Sequence, residues 1–466
     1  MVLKPQFDTE SEVPIYRQLY MWFRDVIGAG VLRDGERLPP TRELAGQLGL
    51  NRTTIAAAYE LLESEGLIEG QVGRGSFVRA PSTGDEELIS FATSRPAGDL
   101  FPLDEFRASC QEVISGSNAL AILQLGSPAG YAPLRRYLME QARAEGVARA
   151  GDDIIITSGC QQALDLIQRL LVEPGDRVVV EDPVYPGVKA AFSRAHLIGV
   201  PMGPDGCDIE LLARVLAVER PRLLVLTPNF QNPTGASIPS AGRHEILQAA
   251  ARAGVLVVEN DTYGELRYRG QPLPAIKQLD SSGVTVLLRS FSKIAFPGLR
   301  VGWAIAPAAL AARLAEAKQS CDLHTDQLSQ AVLLCFAQSG RLRAHRERIV
   351  AAGGERLAAT LAACERFLPS GSSYTRPEGG MNLWVRLPAP LDASELLSAA
   401  QRERVSYLPG RYFEVSRRDA GALRLSFAGL APSRIRSGVE TLGEVFSREL
   451  ARARPPVAWE PEPAVV

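Results

Sequence analysis

Near the start of the chain, apolar residues fall at Ile15, Leu19, Trp22, Phe23, Val26 and Ile27. Steps of three and four of this kind make one stripe of an amphipathic helix. After a glycine-containing turn from Gly28 to Gly35, two shorter helices are predicted. The first runs from about Thr41 to Leu48 and stops at Gly49, which suits a left-handed position after a helix end. The second is capped by Asn51, turns Ile55, Ala58, Tyr59 and Leu62 inward, and ends at Gly66. The run Gly73-Arg74-Gly75-Ser76-Phe77-Val78 then reads as a tight β-hairpin.

A different rhythm follows. Short β-rich runs at Ile154 to Ile156, Arg177 to Val180, Leu223 to Leu226, Val255 to Val258 and Val284 to Leu288 alternate with helix-length segments. That alternation predicts an α/β domain with a mainly parallel sheet and helices on both faces. The expected organisation is a small domain over 12–80, a linker over 81–88 and a large domain over 89–450. The large domain divides into a part at about 140–345 and a smaller C-terminal α+β part at about 346–450. A Pro-rich flexible tail fills 451–466.

Composition narrows the class. With 46% hydrophobic and 22% charged residues in 466, the chain is an ordinary globular protein too long for one domain. No apolar run approaches the ~20 residues of a membrane span, and Met1 to Glu12 lack the pattern of a secretory signal. Six scattered cysteines without a C-x-x-C pair are expected as reduced thiols in the cytoplasm, with no metal site. A net charge of −2 does not mark a nucleic-acid binder, so any such case rests on local pattern.

The local pattern exists. Helix, short turn, helix and hairpin is the order of a winged helix-turn-helix. Arg52, Thr53 and Thr54 open its second helix, where side chains reach base edges and phosphates. Arg42 opens the preceding helix, and Gly75 lies at a wing small enough to rest against a groove. The block Leu38-Pro39-Pro40-Thr41-Arg42-Glu43-Leu44-Ala45, Leu48 to Ile55, Ala58-Tyr59, Glu65-Gly66-Leu67 and Gly73 to Val78 resembles the GntR family of DNA-binding domains. The resemblance implies contacts to double-stranded DNA from Arg42, Arg52, Thr53, Thr54 and Gly75. One departure is Pro40, where the family often has a capping Ser.

In the large domain, polar segments follow the predicted strands, where open α/β sheets place ligands. They are Thr157 to Ala163, Glu181 to Gly187, Thr227 to Gly235, Glu259 to Tyr263 and Ser290 to Lys293 with Pro297 to Trp303. Together they resemble the fold-type-I aminotransferase superfamily, whose cofactor is pyridoxal 5′-phosphate. The two joined modules resemble the MocR (GabR-like) regulators. The resemblance implies that Lys293 forms the Schiff base. A partly desolvated amine near other cations is the kind of lysine whose pKa falls far enough for this. It further implies that Arg300, Ser290, Ser292, Gly159, Cys160 and Gln161 hold the phosphate, that Tyr185 stacks on the ring, and that Asn232 and Tyr263 bond the ring oxygen. Arg424, in Leu423-Arg424-Leu425-Ser426-Phe427, is the candidate for an effector carboxylate.

Two departures bear on chemistry. The superfamily places an Asp three residues before Tyr263 to keep the ring nitrogen protonated; here that position is Asn260, with Asp261 beside it. Either Asp261 takes the role through a shifted strand end, or the site binds the cofactor and catalyses poorly. Leu125 stands where a Tyr usually reaches the neighbouring subunit's phosphate. Both departures favour a sensor. The expected function is a homodimeric transcription regulator that senses a small amine or amino acid at Lys293. The alternative is a working aminotransferase with an appended DNA-binding domain.

Overall fold

Glycines and apolar stripes break the chain where the pattern predicts, and the computed structural model describes residues 14–28, 32, 35–71, 75–79, 88–416 and 418–453. They form two compact units that meet in sequence between Glu87 and Leu88. Residues 81–87 of the expected linker and the tail from 454 lie outside the described residues.

In the first unit, α1 (Ile15–Gly28), α2 (Thr41–Leu48) and α3 (Arg52–Ser64) bury Leu19, Phe23, Leu44, Ile55, Ala58 and Leu62 in one core. Asn51 Oδ1 accepts from Thr53 N at 3.2 Å and so caps α3. Pro40 gives α2 no side-chain cap, and Gly49 ends that helix at φ +67°. The hairpin starts earlier than the pattern suggests. Its strands are β1 (Ile68–Gln71) and β2 (Gly75–Val78), with Ile68 opposite Val78 in the core. Glu69-Gly70-Gln71 looks like a polar loop because these residues carry no apolar alternation to read. Gly73 and Arg74 lie outside the described residues.

The second unit opens with β3 (Ile89–Ser90) and is built on an eight-stranded sheet. Its strands are β4 (Asp152–Thr157), β5 (Arg177–Asp182), β6 (His196–Gly203), β7 (Gly206–Cys207), β8 (Leu223–Leu226), β9 (Leu256–Asn260), β10 (Thr285–Ser290) and β11 (Gly302–Pro307). They lie in the order β4-β11-β10-β9-β8-β5-β6-β7. From β10 through β6 all pairs are parallel, while β11 runs antiparallel to both neighbours. The pattern missed β6, β7 and β11. The first interrupts its apolar run with Gly199 and Pro201, the second has only two residues, and the third follows directly on the Pro297 to Arg300 turn. Alternate residues serve opposite faces. Val180, Val225, Val258 and Leu288 pack with the Cys160–Leu171 helix, and Val179, Leu224 and Val257 pack with the Ser240–Ala253 helix.

The C-terminal part contributes β12 (Ser373–Tyr374), β13 (Asn382–Arg386), β14 (Val405–Ser406), β15 (Leu408–Pro409) and β16 (Ala422–Ser426). Four of them form an antiparallel sheet in the order β12-β13-β16-β15. β14 pairs in parallel with β3, so the first described stretch of this unit is bound into its last part. Helices Arg341–Phe367 and Pro432–Ala453 pack on one another. The second of them continues three residues past the expected boundary at 450.

Candidate cofactor site and DNA-reading face

β4 delivers Thr157, Ser158 and Gly159 to the start of the Cys160–Leu171 helix. Gly159 has φ +89°, and a Cβ there would strike the Arg300 guanidinium. Arg300 is itself held at φ +53° after the Pro297–Leu299 turn. Its Nη2 donates to Ser158 O at 3.1 Å and its Nη1 to Ser292 Oγ at 3.2 Å. The Ser290 and Ser292 hydroxyls stand 2.8 Å apart. An exposed guanidinium, two hydroxyls and a helix N-terminus thus converge, which is the donor set a phosphate monoester requires. Cys160 is buried, and desolvation pushes its thiol up to about 12. Gln161 turns aside to donate to Gly187 O at 2.8 Å. Tyr185 precedes the Pro186–Ala191 helix with its ring over Gly187, 39% exposed toward the site.

The second end of the site is built around Lys293, which follows β10 in a single 3-10 turn. Its Nζ donates to Ser94 O at 2.6 Å and stands 5.7 Å from the centre of the Tyr263 ring. Asn232 Nδ2 donates to the Tyr263 hydroxyl at 3.3 Å, and Arg424 Nη1 donates to Asn232 Oδ1 at 3.0 Å. Arg424 Nη2 donates to Ala92 O, and its Nε is buried with no partner. Arg424 is 4% exposed and lies over the Phe413 ring. Burial lowers its pKa to about 10, so it is a cation at neutral pH. Among the described residues no carboxylate pairs with it. Ala92 and Ser94 were missed by sequence reading, because a backbone carbonyl has no signature in a sequence.

Asn260 ends β9 in phase with Val258, on the face that also carries Cys160. It is 6% exposed, and its Oδ1 is buried without a partner. Asp261 has both oxygens engaged elsewhere. Oδ1 accepts from Asn229 Nδ2 at 2.8 Å and Oδ2 from Arg289 Nε at 3.1 Å. Arg289 reaches on to Glu145 at 2.8 Å, and Arg243 donates to Asn229 Oδ1 at 2.6 Å. Asn260 thus shares the face of Val258 with its Oδ1 unpartnered, while both Asp261 oxygens are bonded to Asn229 and Arg289. Asn229, Arg289 and Arg243 were also missed, though Asn229 lay inside a motif already singled out. Leu125 is 79% exposed.

In the first unit, Arg42 and Arg52 sit in the first turns of α2 and α3, both exposed, with Thr53 exposed and Thr54 half-buried. Among the described residues neither arginine forms an ion pair. Gly75 begins β2 at φ +106°, and a Cβ there would come within 3.1 Å of Arg37 Nε. Arg37 adds an exposed cation at the wing that sequence reading overlooked.

A phosphate cradle, a lysine and a buried arginine at the edge of a mainly parallel sheet define an aminotransferase-like domain, joined here to a winged helix. Comparison with known proteins agrees. Residues 87–442 match the family model for aminotransferase class I and II, and residues 15–78 match that for bacterial regulatory proteins of the gntR family. The probable rhizopine catabolism regulatory protein MocR of Rhizobium meliloti is 30% identical over 94% of this chain and 95% of that one. The aromatic-amino-acid aminotransferase 1 of Thermococcus litoralis is 35% identical, over 78% of this chain and 89% of its own. The alpha-aminoadipate aminotransferase of Thermus thermophilus, solved with N-(5′-phosphopyridoxyl)-L-leucine, superposes with TM-score 0.73 at 36% identity, covering 78% of this chain and 93% of that one.

The chain belongs to the MocR-type GntR regulators, in which a winged helix-turn-helix is fused to an aminotransferase class I and II domain. Pyridoxal 5′-phosphate is the cofactor of that domain. The residues present fit it, with the Gly159–Arg300 cradle for its phosphate, Lys293 for its aldehyde and the unpartnered amide of Asn260 on the same face. Among the described residues, no helix is long and apolar enough to cross a membrane.

Proposed function

We propose that this regulator works in the cytoplasm as a homodimer and senses a small amine or amino acid in its cofactor site. The observation that carries the reading is Arg424, a buried cation with no carboxylate partner and one N–H unused, two contacts from Tyr263 beside Lys293. Leaving a buried donor unsatisfied costs about 1–3 kcal/mol, and an incoming carboxylate removes that cost.

The residues divide the work. Arg300, Ser290, Ser292 and the turn at Gly159, Cys160 and Gln161 bind the phosphate, Tyr185 covers the ring, and Asn232 with Tyr263 orients the ring oxygen. Bound there, pyridoxal 5′-phosphate supplies an aldehyde that captures amines. Lys293 presents the amine that holds that aldehyde until a ligand competes for it, and Arg424 selects ligands with a carboxylate. Arg42, Arg52, Thr53, Thr54 and Gly75 meet double-stranded DNA. For the ligand to regulate, it must bind the two DNA-presenting geometries with different affinity.

The test is an absorbance spectrum of purified protein with pyridoxal 5′-phosphate beside a Lys293→Ala variant. A visible band in the first that is lost in the second is expected. Two spectra identical to that of the free cofactor overturn the sensor reading.

A further inference from the structure

The first residues of the second unit are gripped in two different ways. Up to Phe91 the grip is permanent. Ile89 N donates to Arg404 O at 2.9 Å, Phe91 N to Ser406 O at 2.7 Å, and Ser426 N to Phe91 O at 2.9 Å. Phe91 is fully buried, and a Cβ at Gly438 would strike its ring. Past Phe91 the chain leaves regular structure. Ala92 and Ser94 are half-buried and Thr93 is exposed. Thr93 O is held locally by Arg95 N at 3.2 Å and Ser94 Oγ reaches Met381 Sδ at 3.8 Å, while the carbonyls of Ala92 and Ser94 are held by Arg424 and Lys293. These are the two residues assigned above to ligand recognition, one from β16 and the other from the turn after β10.

We propose that residues 92–94 form a ligand-responsive strap shortly after the chain arrives from the DNA-binding unit. The inference rests on the sensor reading and names its regulation. Nζ of Lys293 occupies one position at a time. Whenever the cofactor site claims that nitrogen, Ser94 O loses its donor; whenever a ligand releases the lysine, the donor returns. A ligand carboxylate competes with Ala92 O for Arg424 in the same way. An amine therefore resets one grip, and an amine bearing a carboxylate resets both. Residues 88–91 separate the strap from 81–87 in the chain. Loosely held, few-contact segments are where ligand-driven rearrangements are drawn from.

Hydrogen–deuterium exchange on the full-length holoprotein tests this with two aldehyde-capturing probes, methoxyamine and aminooxyacetate, only the second of which has a carboxylate. Methoxyamine is expected to slow exchange over residues 94–97 by threefold or more. Aminooxyacetate is expected to do the same and also to speed exchange over 92–93 by a similar factor, with Phe91 unchanged. In Arg424→Gln the methoxyamine response persists and the extra aminooxyacetate response disappears. If both probes change the visible spectrum while exchange over 92–97 stays constant, the strap is wrong and the sensor reading stands. If neither probe changes the spectrum, the sensor reading itself has failed, and the strap with it.

Discussion

Arg424 Nη1 donates to Asn232 Oδ1 at 3.0 Å across 192 positions of chain, tying the C-terminal sheet to the loop after β8. The bond joins a guanidinium from one part of the domain to an amide from the other, so on the proposed reading a carboxylate at Arg424 is read by both parts. Arg424→Gln is expected to weaken binding of aminooxyacetate by roughly tenfold or more, given about 1.5–3 kcal/mol for a charge-assisted hydrogen bond. Binding of methoxyamine should stay within twofold. Titrating the visible band with each probe measures both.

Gly159 leaves room that Arg300 fills. In Gly159→Ala the new methyl collides with the guanidinium, on a backbone at φ +89° that alanine avoids. Cofactor affinity should fall by an order of magnitude or more, read by dialysis followed through the visible band. Gly298→Ala is the control, since nothing lies within 4 Å of a Cβ there.

On the proposed reading, Asn260 stands where a carboxylate would keep the ring nitrogen charged. A nearby opposite charge favours the protonated form, and an amide lacks it. Asn260→Asp is expected to raise single-turnover conversion of an L-amino acid to its keto acid at least tenfold, measured by rapid quench. An unchanged rate would mean that the amide is not what limits the chemistry.

On the DNA-reading face, Arg52→Ala should cost about 1–3 kcal/mol at one base pair and relax preference there. Arg42→Ala should weaken binding to all sequences alike and lower the salt slope by about one. Fluorescence anisotropy across a salt series separates the two. Asn51→Ala, which removes the cap of α3, should destabilise that helix by about 1 kcal/mol, visible as faster amide exchange in its first turn.

Stability should fall on the alkaline side. Burial pushes Glu181 up to about 8, and burial with the nearby Asp261 charge also raises Glu259. Each binds more protons folded than unfolded once pH exceeds the ordinary carboxyl range, so unfolding free energy declines as pH rises through that window. Burial lowers His345 to about 4, which acts in the opposite sense between pH 4 and 6.5. Above 6.5 the carboxyl effect stands alone until Glu181 ionises near 8. Urea denaturation at pH 6.5 and pH 8 should show the loss. Glu181→Gln should reduce the slope between them, leaving the part due to Glu259.

Much of this was legible in the residues. The stripe from Ile15 and the cap at Asn51 yielded the helices of the winged unit, because a 3.6-residue period survives in any helix with one buried face. Core strands such as Val178 to Val180 are continuous apolar runs and read clearly. β1 and β6 did not, since partly exposed strands lose both the run and the alternation. Lys293, Arg300 and Asn232 were legible through motifs of side chains. The bond from Lys293 to Ser94 spans 199 positions and ends on a carbonyl that every residue possesses. Nor could composition say that Asp261 is bonded to Asn229 and Arg289 while Asn260 Oδ1 is left without a partner; that depended on where β9 ends and on Arg289 arriving from the next strand.

The floor of the site separates two duties that one carboxylate could have combined. Asp261 is locked between Asn229 and Arg289, while Asn260 next to it carries no structural bond through its Oδ1. On the proposed reading, the bracing of the sheet and the tuning of the ring fall to two neighbouring residues, so Asn260→Asp would change the chemistry of the site while Asp261 keeps its bonds to Asn229 and Arg289.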